Sequence, residues 1–141
     1  MLGLLPPGQH PATWEEIAER FGRNGQRRSV VGGIRLAATA LARANCRRLW
    51  IDGSFVTSKA KPRDWDGCWD PFGVNPQLLD PALLDFSAIG RKRMKTKYLA
   101  DLFPASATEA TSGLLYLNYF QQERSGDPKG VLLLYLNGWA L

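Results

Sequence analysis

The 141-residue chain has two cysteines, Cys46 and Cys68, and a single histidine, His10. The cysteines form neither a CxxC pair nor a zinc spacing, so a cysteine-based metal site is excluded and free buried thiols in a reducing compartment are expected. One histidine inside a proline-rich stretch excludes a catalytic triad built around it. No apolar run approaches the roughly twenty residues needed to span a bilayer. The N-terminal MLGLLPPGQHPA lacks the basic region of a signal peptide, and Pro6-Pro7 ends its apolar run early. Together these absences lead us to expect a cytoplasmic protein with no membrane partner. Acidic residues are scarce as well: thirteen Asp+Glu stand against eighteen Lys+Arg, for a net charge of +5. That balance favours anionic partners such as nucleotides or nucleic acid.

With 45% hydrophobic and 22% charged residues, the chain has the composition of a folded domain, and its length suits one core. Residues 1–12 read as a Pro-rich extended arm and residues 13–141 as a single domain. TWEEIAERFG predicts a short helix, with Thr13 and Glu16 as a capping box and Gly22 as its stop. A longer helix is expected over Gln26 to Asn45, where Val30, Ile34, Ala38 and Leu41 form an apolar stripe. Gly32-Gly33 weakens it and suggests close packing against another element. RRLWIDGSFV and RDWDGCWD predict two strands, close enough in sequence to pair as an antiparallel hairpin with a long turn. NPQLLDPALLDF suggests a short helix or two turns, and GRKRMKTKY is basic with no clear structural preference. YLADLFPA predicts a strand, TEATSGLLYLNYFQQER an amphipathic helix with Leu114, Leu117 and Phe120 inward, and KGVLLLYLNGW a final strand. The order is α+β: a small mixed or antiparallel sheet with helices packed on it.

The chemistry is concentrated in GSFVTSKAKPRDWD. Asp64 and Asp66 are two apart on the predicted strand, so their carboxylates share a face, and Trp65 and Trp69 point to the other. Two carboxylates held that close repel unless a cation lies between them. Mg²⁺ suits such oxygen ligands and keeps room for substrate phosphates. Gly53 lets a ligand approach the backbone, Ser54 offers a hydroxyl to phosphate oxygens, and Lys59, Lys61 and Arg63 add positive charge nearby. Either pair alone is common; nine residues between Ser54 and Asp64 set them in a pattern.

That pattern resembles the signature of the nucleotidyltransferase superfamily that includes DNA polymerase beta, kanamycin nucleotidyltransferase and the minimal nucleotidyltransferases. The wider series LPPGQHPATWEE, GSFVTSKAKPRDWDGCWD, DLFPA and DPKG is similar to a small bacterial family of stand-alone nucleotidyltransferase-like proteins. The resemblance implies a nucleotidyltransferase-like fold and transfer of a nucleoside monophosphate from a triphosphate such as ATP to a hydroxyl. It further implies two Mg²⁺ ions, or Mn²⁺, on Asp64 and Asp66, with the nucleotide on Gly53, Ser54 and Lys59. A third carboxylate is implied from a later strand. Asp101 is the candidate, because it interrupts the apolar YLADLF, where an unpaired carboxylate is costly. A salt bridge to the basic segment upstream is the structural alternative. Glu109 and Asp70 are weaker candidates, Asp70 because it stands at a strand end before Pro71.

A chain this short leads us to expect a macromolecular acceptor, protein or tRNA, and a cognate partner protein as in toxin–antitoxin pairs is implied by the resemblance. Two other readings stay open. One is a catalytically degenerate module that binds nucleotide or a partner. The other is a nucleic-acid-binding protein acting through Arg91–Lys97, whose affinity would fall steeply with salt. Lys129, before Gly130, reads as an exposed strand end.

Overall fold

A computed structural model describes residues 5–52, 63–123 and 125–139. The elements run β1 (Gly8–Pro11), α1 (Trp14–Phe21), α2 (Gly25–Arg43), β2 (Arg48–Asp52), β3 (Trp65–Trp69), a short 3₁₀ turn (Pro81–Leu83), α3 (Ala88–Tyr98), β4 (Ala100–Pro104), α4 (Tyr116–Tyr119) and β5 (Gly130–Tyr135). The five strands form one mixed sheet in the order β1-β5-β2-β3-β4. The fold is α+β as expected, with β2 and β3 antiparallel as the sequence suggests. Two pairings are parallel, β1 with β5 and β3 with β4.

Local chemistry explains most boundaries. At α1, the Thr13 hydroxyl accepts from the Glu16 amide at 3.1 Å and the Glu16 carboxylate from the Thr13 amide at 3.0 Å, the expected capping box. Asn24 caps α2 through the Arg27 amide at 2.9 Å. Parallel neighbours need a crossover of a dozen or more residues, and residues 70–99, with α3 inside them, supply it between β3 and β4. Leu99 ends α3 in the left-handed region at φ 56°. Its carbonyl accepts from the Trp65 amide at 3.0 Å, which ties the turn to the start of β3.

Three expectations change. Gly8–Pro11, placed in an extended arm, is indeed extended but is the edge strand of the sheet. The basic GRKRMKTKY is helical: Met94 and Tyr98, four apart, are buried and hold α3 on the core. The long amphipathic helix expected over TEATSGLLYLNYFQQER shrinks to the single turn α4. Glu109 accepts from the amides of Thr111 and Ser112 at 3.0 and 2.7 Å, and Gly113 takes φ +74°. These local bonds satisfy the backbone outside a helix, so a loop forms instead.

The two sheet faces are packed unequally. Leu49, Ile51, Trp65, Trp69, Leu102 and Leu132 lie in the main core with α1, α2 and α3. The opposite face buries Trp50, Cys68, Val131 and Leu133 under Phe120, with Phe103, Tyr116 and Leu117 packed against them. Rings of Phe103 and Tyr116 stack at 4.0 Å. Both cysteines are buried and free. Gly33 marks the close packing expected of α2, since a Cβ there would lie 2.3 Å from the Tyr98 carbonyl oxygen; Gly32 has nothing within 4 Å. Gly67 is equally confined, with a Cβ position 2.5 Å from the Trp50 carbonyl oxygen.

A candidate carboxylate site at one end of the sheet

Strand alternation puts Asp52, Asp66 and Asp101 on the second face, each two residues along its strand from a residue packed there: Trp50, Cys68 and Phe103. Register aligns them. Asp52 is the ladder partner of Asp66, and Asp66 is the ladder partner of Asp101. Three neighbouring strands thus carry one carboxylate each at the same level, beyond the hydrophobic cover.

Asp64 corrects one detail of the sequence reading. It is not on the strand, because β3 begins at Trp65. Its carboxylate still joins the group through Lys95 of α3. The Lys95 Nζ lies 3.0 Å from Asp64 Oδ2 and 3.0 Å from Asp101 Oδ2. Arg91, one helical turn earlier, stands 3.6 Å from Asp101 Oδ1 and over the Phe103 ring. The structural alternative for Asp101 is therefore present, since it is ion-paired to the basic segment, and it also stands level with Asp66. Partial burial alone would lower the Lys95 pKa, but hydrogen bonds and charge from Asp101 and Asp64 outweigh it and hold the ammonium above its ordinary value.

Asp66 has no ion pair among the described residues. Burial, then the charges of Asp101 and Asp52, push its carboxyl up to about 6, against the opposing pull of Lys95. Asp52 is buried and is held by Lys129, whose Nζ lies 3.0 Å from Oδ1 and 3.1 Å from Oδ2. Lys129 is not the exposed strand end expected: its side chain is only 19% exposed. A cleft of about 500 Å³ opens beside the row, lined by Asp52, Asp66 and Lys129 together with Glu109, Tyr119 and Gln122.

The remaining candidates divide cleanly. Gly53, Ser54 and Lys59 lie outside the described residues. Asp70 is structural: its Oδ2 accepts from Arg48 Nε and a terminal Arg48 nitrogen at 3.0 and 2.9 Å, and its Oδ1 from the Phe72 amide at 3.0 Å. Glu109 is occupied in its own turn, as above. Sequence reasoning missed Asp52, read Lys129 as an exposed strand end, and treated Lys95 only as part of the basic segment. Asp52 gives the same signal as Asp101, a carboxylate closing the apolar stretch LWID. Lys95 falls on the Arg91 face once α3 is read with helical period.

Among the described residues, no three His, Cys, Asp or Glu side chains stand together as a ready-made metal cage. Asp64 and Asp101 instead close on the Lys95 ammonium. The donor atoms are nevertheless of the type that a hard divalent cation takes. The set is anionic, it offers only oxygen, and two of its carboxylates already converge on one positive charge.

Fold and site together define an α+β protein with a carboxylate row across one end of a mixed sheet. The chain belongs to the family of unknown function DUF6932, which it matches over residues 1–134. No curated protein and no solved structure matches it. No helix among the described residues is long and apolar enough to cross a membrane.

Proposed function

We propose that the chain is a Mg²⁺-dependent nucleotidyltransferase that moves a nucleoside monophosphate from a nucleoside triphosphate to a hydroxyl on a protein or RNA. The observation that carries this reading is the alignment of Asp66 with Asp101 on neighbouring strands, level with Asp52 on the next. Asp64, Asp66 and Asp101 are the residues that would hold two divalent ions. Held there, such ions would supply charge stabilisation to the transferring phosphoryl group. Gly53, Ser54 and Lys59 are assigned to the triphosphate on the motif alone, and a cleft beside Asp66 supports the reading. The acceptor oxygen bonds to the α-phosphorus, the α–β phosphoanhydride bond breaks, and pyrophosphate leaves. The hydroxyl proton passes to Asp101 as general base. A cognate partner protein, as in a toxin–antitoxin pair, is one acceptor the reading accommodates.

The test is label transfer from α-phosphate-labelled nucleotides, with Mg²⁺ or Mn²⁺, to the RNA and protein fractions of a cell extract. The reading expects a labelled product that disappears with Asp66→Asn and with Asp101→Asn while folding is intact. A folded wild-type chain that labels nothing but still binds nucleotide with metal supports the second reading, a binding module without turnover. The closure of Asp64 and Asp101 on Lys95 favours that alternative. Nucleic-acid binding through Arg91–Lys97 draws less support, because Lys95 and Arg91 face carboxylates and Lys97 pairs with Asp80 at 2.7 Å.

A further inference from the structure

We infer that Lys95 is a built-in occupant of the cation seat, so that loading the site with a divalent ion requires its ammonium to leave. The inference rests on the metal-site reading above and adds a residue that the motif does not contain. Its basis is geometric. One ammonium lies 3.0 Å from an oxygen of Asp64 and 3.0 Å from an oxygen of Asp101. Those carboxylates come from different elements, one before β3 and the other within β4. A cation that bridges them holds the start of β3 and the start of β4 together against the repulsion of their charges.

The helix that delivers Lys95 is fixed. Met94 and Tyr98 are fully buried, and Ser87 caps the N-terminus through the Gly90 amide at 3.2 Å. The Lys95 side chain is different: it is 39% exposed, and its four-carbon stem ends in a point charge that can move without moving the helix. Arg91 stays behind. It contacts the other oxygen of Asp101, Oδ1, so departure of Lys95 leaves Asp101 oriented.

A divalent ion is a strong competitor for this seat. Its double charge and small radius would attract each carboxylate more strongly than an ammonium does in the same medium, before the cost of stripping its water. Lys95 therefore serves the unloaded protein as a counter-ion and sets a threshold for loading.

The experiment is Mn²⁺ binding to the full chain, read as free Mn²⁺ by electron paramagnetic resonance, without nucleotide. Lys95→Met keeps the stem and removes the charge. Arg93→Met, an exposed site on the same helix, removes an equal charge away from the seat. Losing a charge-assisted contact of this kind corresponds to about tenfold tighter Mn²⁺ binding in Lys95→Met, with Arg93→Met close to wild type. Lys95→Gln, neutral but able to hydrogen-bond, gives the same reading if the Met variant fails to fold. A wild-type chain that binds Mn²⁺ and a folded Lys95 variant that binds it no tighter than Arg93→Met would overturn the role of Lys95 and leave the metal site standing. Folded wild-type and Lys95 variants that both fail to bind Mn²⁺ would overturn the metal site and the inference with it.

Discussion

Asp66 of β3 and Asp101 of β4 are ladder partners across a parallel pair of strands, and their side chains share the less covered face of the sheet. Like charges held side by side on neighbouring strands repel, which is a cost to folding. Asp66 bears most of that cost, since it has no ion pair of its own among the described residues while Asp101 has Lys95 and Arg91.

The first prediction concerns pH. Folded Asp66 keeps its proton up to about pH 6, whereas in the unfolded chain it titrates near its ordinary value of about 4. The folded state therefore binds more protons across that window, and this group's contribution to stability falls as pH rises from about 4 to about 6 and stays low above it. Asp66→Asn mimics the protonated form. It should raise stability at pH 8 by about 2 to 3 kcal/mol, with the gain vanishing below pH 4. Urea denaturation of both proteins across this range checks it. Mn²⁺ competes with the same proton, so its affinity for the wild type should weaken as pH drops below about 6.

The adjacent glycines of α2 should respond in opposite directions. Gly33→Ala places a Cβ 2.3 Å from the Tyr98 carbonyl oxygen, so α2 and α3 must separate; a loss of about 1 to 3 kcal/mol is expected. Gly32→Ala meets nothing within 4 Å and should gain up to about 1 kcal/mol from helix propensity. Thermal melting of the two single variants distinguishes a packing glycine from a merely weak helix position.

Asp70→Ala tests the separation of structural from functional carboxylates. It removes both contacts to Arg48 and the bond to the Phe72 amide. Because Arg48 is 43% exposed, stability should fall by only about 1 kcal/mol, seen as a lower denaturant midpoint. Metal-dependent nucleotide binding should be unchanged.

Particular residues show how far the sequence could be read. The capping box at Thr13 and Glu16, the apolar stripe of α2 and the antiparallel pairing of β2 with β3 follow from local pattern, and the structure has them. Asp101 was legible because a charge inside YLADLF contradicts its surroundings. What could not be read is what long-range pairing creates. Gly8–Pro11 becomes a strand only because β5 is there to pair with it. The level placement of Asp52 beside Asp66 is a matter of register, and a slip of one residue would turn the row to the other face. The helix over residues 88–98 has a weak amphipathic pattern, so its two buried anchors, Met94 and Tyr98, are visible only once the core is known. The segment around Glu109 misled for the opposite reason. Its apolar residues have helical spacing, but Thr111, Ser112 and Gly113 favour local turn bonds over continuation.

The most direct test of the central claim is titration calorimetry of the full chain with a non-hydrolysable nucleoside triphosphate, with and without Mg²⁺. The account predicts binding that requires Mg²⁺ and is lost in folded Asp66→Ala and Asp101→Ala variants. Binding that is indifferent to Mg²⁺ and survives both substitutions, or no binding by the folded wild type under either condition, would contradict it.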